Sequence, residues 1–342
     1  MKKILVTGGA GFIGSNFVRH MLANHDYEIV NFDKLTYAGN LDNLRDIADT
    51  DARYSFVQGD ICAREDVEAV LEGCDAVVNF AAETHVDRSL LDAGAFIQTD
   101  VYGVFVLLEA ARKQGIERFL HISTDEVYGP RFPDAPGTET DPFAPANPYA
   151  ASKAGGEMQC QGFARTYGLP VIVSRSANNI GPRQHPEKAV PLFVTNALQD
   201  LPLPVYGEGL QVRDRLYVED NCEALDLILH KGTPGEVYNV GADNERPNID
   251  VAETILGLLH KPRSLIRFIE DRTNHDTRYS MDTTKVRALG WQPRHDFGAA
   301  MAKTVAWYAD NRWWWEKVRS GEYAAYYQSQ YADRLANSRS AG

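Results

Sequence analysis

Residues 123–129 place two carboxylic acids, Asp125 and Glu126, directly after the apolar run 118–122, whose pattern is typical of a buried strand. Charged groups at the end of such a strand are costly to bury unless they serve a purpose. Neighbouring carboxyl groups repel each other's charge, so one can stay protonated while the other is ionised. The pair could therefore supply a general acid and a general base. Because alternate residues of a strand point to opposite faces, the backbone must turn at this pair.

A second pair of reactive groups lies downstream, where Tyr149 and Lys153 are four residues apart in a stretch that opens a helix. Residues at this spacing share a helix face and can address one site. A nearby ammonium group favours the phenolate, as would a positively charged nicotinamide in the same site, so together they should lower the pKa of Tyr149 towards a value useful for a base. The alternative is an exposed tyrosine beside a lysine. The hydroxyl of Thr124 at the end of the preceding strand favours the catalytic interpretation.

A glycine-rich turn, with Gly8, Gly11 and Gly14, joins the apolar run 3–7 to a stretch with helical spacing. Glycines permit a tight turn and close approach of the backbone, and the following helix N-terminus favours a pyrophosphate. Asp33 ends the next strand-like run, where a carboxylate accepts the hydroxyls of an adenosine ribose and repels a 2′-phosphate. The sequence therefore predicts NAD rather than NADP as the cofactor.

Asp60 ends a third strand-like run. It could lie beside the adenine, or it could be the N-cap of the helix expected from Arg64. The residues leave both interpretations open.

Strand-like and helix-like runs alternate, which predicts an α/β fold with a doubly wound parallel (Rossmann) sheet and a smaller C-terminal substrate-binding lobe. Ligands bind at the carboxyl ends of such strands, and Gly8, Asp33, Ala81 and Thr124 all fall there. We expect a cofactor-binding domain over 1–180 with return elements at about 212–242, a substrate lobe over 181–211 and 243–330, and a disordered tail over 331–342.

The composition is that of an ordinary globular protein, with 342 residues, 44% hydrophobic and 24% charged. The net charge of −12 argues against binding nucleic acid or an anionic membrane. The four cysteines are not spaced as metal pairs, so no metal site is expected. We found no apolar run near the roughly 18 residues of a membrane span. These features predict a soluble cytoplasmic protein.

Basic groups for a nucleotide diphosphate must come from the second lobe. Lys188, Arg213 and Arg278 lie among turn residues there, and Asn178 and His275 could add hydrogen bonds.

Together these motifs resemble the extended short-chain dehydrogenase/reductase family. Within that family, the motifs resemble most specifically those of the dTDP-glucose 4,6-dehydratases. This resemblance runs from Lys3 to about Trp315. It rests on the glycine motif, on Tyr149-x-x-x-Lys153 and on residues 124–129, 82–89, 186–188, 211–214 and 271–279.

The resemblance implies the following reaction on dTDP-glucose. Tyr149 takes the proton from the sugar 4-hydroxyl while carbon 4 passes hydride to NAD⁺, with Thr124 hydrogen-bonding nearby. Glu126 then removes the proton on carbon 5, and Asp125 protonates the departing 6-hydroxyl. The hydride returns to carbon 6, which gives a 4-keto-6-deoxy sugar.

The resemblance also implies the binding residues and a homodimer formed through helices near 101–113 and 151–167. The implied NAD contacts are Gly8, Gly11, Phe12, Ile13, Gly14, Asp33, Lys34, Leu35, Thr36, Asp60, Ile61, Phe80, Ala81, Ala82, Thr84, Thr99, Tyr149, Lys153 and Asn179. The implied contacts of the nucleotide sugar are Thr84, Thr124, Asn178, Lys188, Ala189, Pro204, Tyr206, Arg213, Asn248, Asp271, His275 and Arg278.

The chain departs from the family pattern on the nucleotide side, at Ser176, Ala177, Ile180, His185 and Arg215. The base specificity therefore stays open, with UDP-glucose as an alternative substrate. A UDP-sugar 4-epimerase or decarboxylase would not need the two adjacent carboxyl groups. A non-catalytic NAD-binding protein would be expected to lose one of the reactive groups.

Overall fold

The computed structural model describes residues 1–272, 275–320 and 322–341. Its main sheet has seven strands in the order β10-β6-β5-β4-β1-β2-β3, and all neighbouring pairs are parallel. The strands, in both this sheet and the two smaller ones, are β1 (Lys3–Thr7), β2 (Glu28–Asp33), β3 (Tyr54–Gln58), β4 (Ala76–Asn79), β5 (Arg118–Thr124), β6 (Val171–Ser176), β7 (Asn178–Ile180), β8 (Leu203–Tyr206), β9 (Val212–Tyr217), β10 (Val237–Val240), β11 (Glu245–Pro247), β12 (Ile266–Ile269) and β13 (Arg339–Ser340).

The helices connect these strands and cover both faces of the main sheet. They are α1 (Phe12–Asn24), α2 (Arg45–Ala48), α3 (Arg64–Leu71), α4 (Val86–Leu91), α5 (Ala93–Phe96), α6 (Val104–Gln114), α7 (Pro148–Tyr167), α8 (Ala189–Leu198), α9 (Val218–Lys231), α10 (Asn248–Leu258), α11 (Thr284–Ala288), α12 (Phe297–Asp310), α13 (Arg312–Val318) and α14 (Glu322–Ala336). A π-helical turn, Ile97–Gly103, joins α5 to α6.

Each face of the main sheet has its own apolar core. Helices α1 and α9 bury Phe17, Leu225 and their neighbours on one face, whereas α3, α6 and α7 bury Val67, Leu107 and Phe163 on the other. Because both faces are covered, the central strands read as nearly continuous apolar runs. The predicted doubly wound parallel fold is confirmed.

A third core lies in a smaller lobe built by later segments. Its two three-stranded sheets have the orders β11-β9-β7 and β13-β12-β8. Helices α8, α10 and α12 pack against them through residues such as Phe193, Ile255 and Met301. The chain returns to the first domain at α9, which packs on α1, and at β10, which pairs with β6. Strand β9 instead belongs to a small sheet.

The tail over 331–342 is folded throughout its described residues, and the expectation of disorder there was wrong. Residues up to Ala336 continue α14, and β13 pairs antiparallel with β12. The physical reason is burial, because Tyr331 and Ala341 are each 3% exposed in the third core.

One helical segment of the described chain, Ala93–Gln114, is long and apolar enough to cross a membrane by length and composition alone. This corrects the expectation that no run approaches that length. The segment packs against α7 and α3, and residues such as Phe96 and Leu107 are buried. Core helices of soluble proteins pass the same test, so the segment is weak evidence for a membrane span.

Candidate active site

The two adjacent carboxyl groups stand where β5 ends. The backbone turns into a short 3₁₀ helix, Asp125–Tyr128, as expected from the need to aim both groups at one site. The hydroxyl of Thr124 fixes this turn, since it accepts a hydrogen bond from the Glu126 amide (3.3 Å) and donates one to Oδ1 of Asp125 (3.0 Å).

Burial separates the acid–base behaviour of Asp125 from that of an ordinary aspartate. Its side chain is almost fully enclosed at 2% exposure. Desolvation and, to a smaller extent, the negative charge of Glu126 raise the pKa of Asp125 to about 7, against the opposing effects of Thr124 and Arg213. Near neutral pH, this carboxyl group can therefore hold a proton and donate it.

Glu126 reaches the cavity that lies next to Asp125. Burial raises the pKa of its carboxyl group, and Arg213, Asn147 and Lys188 oppose this shift. Asn147 donates to Oε2 of Glu126 at 3.3 Å. The hydroxyl of Tyr279 lies 3.4 Å from the same oxygen, but its one proton has a nearer acceptor in the carboxylate of Asp276. Asn147 and the charges of Arg213 and Lys188 favour the ionised form of Glu126, which a base requires.

Tyr149 and Lys153 lie in the first turns of α7, which begins at Pro148 and is capped by the side chain of Asn147. The pKa of Tyr149 is raised well above its usual value by burial and by the charges of Glu126 and Asp100. The ammonium of Lys153 donates to the carbonyl of Ile122 at 2.7 Å. In the protein without its cofactor, the tyrosine pKa is therefore not lowered.

Asp100 is a buried carboxyl group that the sequence analysis missed. It lies in the π-helical turn, accepts from the hydroxyl of Ser152 (2.6 Å) and the amide of Glu83 (2.8 Å), and interacts with the charge of Lys153. Desolvation raises its pKa to about 6. It holds α7 and the loop after β4 in one arrangement beside the reactive tyrosine.

A cavity of about 230 Å³ opens at the carboxyl ends of β1, β2 and β4. Two of the predicted cofactor residues do not line it: Leu35, whose amide donates to Asp33 at 2.8 Å, and Asn179, which lines the neighbouring cavity. The predicted residues that do line it are Gly8, Gly11, Phe12, Ile13, Gly14, Asp33, Lys34, Thr36, Asp60, Ile61, Phe80, Ala81, Ala82, Thr84, Thr99, Tyr149 and Lys153.

The glycine turn fits a dinucleotide. A Cβ at Gly8 would lie 2.6 Å from the amide nitrogen of Ala81, and one at Gly14 would lie 2.3 Å from the carbonyl oxygen of Gly8. Gly11 is the N-cap of α1, so the free amides of the first helical turn face the cavity.

The two aspartates of this cavity have different partners. Asp33 accepts hydrogen bonds from the amides of Ala10 (3.0 Å) and Leu35 (2.8 Å), which hold its carboxylate at the cavity wall. Asp60 forms an ion pair with Lys34 at 2.8 Å. The N-cap interpretation of Asp60 was wrong, because the N-cap of α3 is Ala63.

A second cavity of about 320 Å³ adjoins the first and is walled by both lobes. Lys188 connects the two cavities, since it lines both and its ammonium donates to the hydroxyl of Thr84 at 2.9 Å. The predicted substrate residues that line this second cavity are Asn178, Lys188, Ala189, Pro204, Tyr206, Arg213, Asn248 and His275, together with the proposed base Glu126.

Four predicted substrate residues do not line it. Thr84 lines the first cavity, and Thr124 stands behind the catalytic pair. Asp271 contacts His275 instead, since the carboxylate of Asp271 lies 2.6 Å from Nδ1 of His275. Arg278 forms an ion pair with Glu245.

The structure adds residues that sequence reasoning did not place here. Tyr331 and Arg272 line the second cavity, and Arg272 also binds Asp87 across the lobes at 2.8 Å. Arg215 lines it as a cation that is 5% exposed. Its Nη2 donates to Asn248 at 2.5 Å, and its Nε has no partner among the described residues. The sequence feature that could have identified Arg215 as a cavity residue was its departure from the residue that the family usually has at this position.

Comparisons with known proteins give one consistent family. A family model described as GDP-mannose 4,6 dehydratase matches residues 5–304. The chain is 50% identical over 351 residues to a dTDP-glucose 4,6-dehydratase of Neisseria meningitidis serogroup B, covering 94% of this chain and 98% of that one. It is 47% identical over 361 residues to the Escherichia coli protein of the same name, with 97% and 99% covered.

Solved structures agree. The dTDP-glucose 4,6-dehydratase DesIV of Streptomyces venezuelae, with NAD bound, superposes with a TM-score of 0.90 at 46% identity, covering 92% of this chain and 99% of that one. A UDP-glucose 4-epimerase of Thermus thermophilus, in complex with NAD, gives a TM-score of 0.84 at 30% identity, with 90% and 99% covered.

Proposed function

This chain belongs to the family of the dTDP-glucose 4,6-dehydratases, and we propose that it converts dTDP-glucose to dTDP-4-keto-6-deoxyglucose with tightly bound NAD⁺. The predicted family, enzyme class and cofactor are confirmed by relatives of that name and by NAD in their structures. The assignment of roles to single residues is our proposal.

The observation that carries the proposal is the position of the Asp125–Glu126 pair. Glu126 lines the wall of one cavity and Tyr149 lines the wall of the adjoining one, while Asp125 lies directly behind Glu126 and is itself buried. An epimerase needs only the tyrosine side of this arrangement. A dehydratase also needs an acid and a base at the carbons beyond the oxidised one.

The first step takes place at the sugar 4-hydroxyl. Tyr149 accepts its proton, and Thr124 holds a hydrogen bond near the same oxygen. NAD⁺, held by residues of the first cavity such as the glycine turn and Asp33, would supply the hydride acceptor for carbon 4 and the hydride donor for carbon 6, and its positive charge would favour the phenolate of Tyr149.

The second step removes water across carbons 5 and 6. The 4-ketone acidifies the proton on carbon 5, which Glu126 removes. Asp125 is held protonated by burial and donates its proton to the departing 6-hydroxyl. This division of labour follows from the pKa of Asp125 near neutrality and from Asn147, Arg213 and Lys188, which favour the ionised form of Glu126.

We infer that the nucleotide diphosphate lies in the cavity formed with the second lobe. Lys188 and Arg213 face it as cations, while Asn178 and Asn248 offer neutral hydrogen bonds. Arg278 is not part of this proposal, because Glu245 neutralises it outside the cavity. The domain division at residue 180 belongs to the same proposal, and it is supported by the separate apolar cores.

A homodimer is also proposed, through the helical segment 93–114 and α7. Large apolar side chains remain exposed on these two elements: Ile97 at 60%, Tyr102 at 43%, Met158 at 59% and Tyr167 at 55%. A second copy of the chain would cover this face. A cytoplasmic location is supported by the four cysteines, all of which are free thiols.

The reaction is tested with glucose carried by dTDP, UDP, CDP or GDP, with deuterium at carbon 4 and the 4-keto product measured. We expect turnover with dTDP-glucose to exceed that with the others, and deuterium to appear at carbon 6. Glu126→Gln should lower turnover about 10²- to 10⁴-fold, whereas the exposed control Glu65→Gln should leave it unchanged. Solvent hydrogen at carbon 6, or normal turnover of Glu126→Gln, would reject the mechanism.

A further inference from the structure

Three histidines surround one aspartate at the ends of two neighbouring helices. His20 lies one turn before the end of α1 and His25 is its C-cap, whereas Asp226 and His230 come from the last two turns of α9. Helix α1 runs from the carboxyl edge of the sheet to its amino edge. The cluster therefore lies at the edge opposite the catalytic pair and takes no part in the reaction described above.

The nitrogen atoms of all three imidazoles converge on the one carboxylate. Nε2 of His20 lies 2.8 Å from Oδ2 of Asp226, and Nε2 of His25 lies 2.9 Å from the same oxygen. Nδ1 of His230 lies 2.8 Å from Oδ1. The donor atoms of His25, Asp226 and His230 all lie within 4.8 Å of one another.

These distances are close to those of a coordination sphere. Bonds of about 2.0–2.1 Å in tetrahedral geometry place ligand atoms about 3.3 Å apart. Asp226 and His230 are four residues apart on one helix, the spacing with which helices present two ligands to one ion.

Neighbouring groups already hold the rings in place. The hydroxyl of Tyr27 lies 2.8 Å from Nε2 of His230, so this ring can present Nδ1 to an ion while Nε2–H donates to the hydroxyl. The rings of His25 and His230 stack at 4.9 Å with an interplanar angle of 21°. Ligation would replace the present contact of His230 Nδ1 with the backbone carbonyl of Asp226 (2.9 Å).

The local field also favours a cation. Both helices end here, so the negative ends of two helix dipoles point towards the cluster, in addition to the charge of Asp226. The four side chains are only partly buried, with exposed fractions between 17% and 27%, so an ion can enter from solvent.

We propose that His25, Asp226 and His230 bind one divalent transition-metal ion of the Zn²⁺ class, with His20 as the hydrogen-bond partner that orients the aspartate. Two imidazoles and one carboxylate are a donor set suited to zinc, with solvent at the remaining position. The ion joins the end of α1, which begins at the glycine turn, to the end of α9. The expectation that the chain has no metal site rested on the spacing of the cysteines alone.

The test uses the full-length enzyme with its NAD, dialysed against a chelator and then titrated with Zn²⁺ in competition with a chromophoric chelator. Co²⁺ serves as a spectroscopic probe of the ligand geometry. We compare the wild type with Asp226→Asn, His230→Gln and His20→Gln. The exposed His260→Gln serves as the matched control. Dehydratase turnover and circular dichroism confirm that each variant is folded.

We expect one Zn²⁺ per chain, with a rise in melting temperature on binding. His20→Gln should weaken binding about tenfold to a hundredfold, as loss of an outer hydrogen bond does. Asp226→Asn and His230→Gln should weaken it more, and His260→Gln should not change it. Absence of saturable binding by the wild type, or equal binding by His230→Gln and His260→Gln, would overturn the proposal.

Discussion

Replacing Asp125 by asparagine should slow the enzyme and stabilise it at alkaline pH. Asparagine keeps the shape of the side chain but cannot donate a proton to the departing hydroxyl group. General acids of this kind contribute about 10²- to 10⁴-fold to rate, so turnover should fall by that factor. The same substitution removes a carboxyl group whose ionisation opposes folding, because the side chain is buried.

The size of the stability effect follows from the two pKa values of Asp125. Its pKa rises from 3.8 to about 7 in the folded chain, chiefly by desolvation. A pKa unit corresponds to about 1.4 kcal/mol, so the full effect is about 4 kcal/mol. The pKa of Asp125 is higher in the folded chain than in the unfolded chain. The contribution of this carboxyl group to wild-type stability is therefore fully present below the unfolded pKa and is lost as the pH rises through about 7. The advantage of Asp125→Asn should be about 2 kcal/mol at pH 5 and about 4 kcal/mol at pH 8.

Two measurements check this reasoning. Urea unfolding of both proteins at pH 5 and pH 8 gives the stability difference, and the pH profile of kcat/KM reports the proton on the free wild-type enzyme. The protonated fraction of Asp125 should fall from about one half at pH 7 to about one tenth at pH 8. A stability difference that is the same at both pH values, or a wild-type profile that stays flat above pH 7, would refute it.

The remaining predictions concern binding and assembly. Asp33→Ala should weaken NAD binding and reduce the preference for NAD over NADP, since the carboxylate that faces the ribose is lost. Fluorescence titration measures the affinity for each cofactor, and an unchanged preference would contradict the role assigned to Asp33. Arg213→Met should raise the KM for dTDP-glucose about tenfold or more through loss of a charge-assisted contact, whereas Arg278→Met should change it little; the reverse order would place the diphosphate elsewhere. Ile97→Glu should convert the proposed dimer to monomers, as measured by sedimentation velocity. A dimer that persists would show that the interface lies elsewhere on the chain.

The first domain could be predicted from sequence because its signals are local. Apolar runs, the glycine turn and the carboxylate of Asp33 recur in a fixed order along a parallel sheet, and the carboxyl ends of its strands meet at one edge. The turn at Asp125 was predictable for the same reason, since two acids beside each other on a strand cannot share a site unless the backbone bends.

The second lobe was predicted less well because its contacts are distant in sequence. Nothing near Arg278 indicates that Glu245 will neutralise it, and the pairing of β7 with β9 joins segments from different parts of the chain. Disorder was expected for the tail because the terminal residues of a domain are often poorly ordered. Tyr331 of the tail and Tyr327, four residues earlier on α14, instead pack into the third core. In the protein without its cofactor, burial and nearby carboxylates raise the pKa of Tyr149, so the lowering expected from Lys153 and the nicotinamide together stays a prediction.

The packing of α14 has a consequence for biosynthesis of the enzyme. Tyr331 lines the substrate cavity, and Gln330 and Arg334 each donate to the hydroxyl of Tyr206 at 2.8 Å. The glycine turn, by contrast, lies at the start of the chain, so the cofactor half can fold while translation continues. The residues of α14 are synthesised after that half. A chain that lacks α14 should therefore hold the dinucleotide without enclosing a sugar.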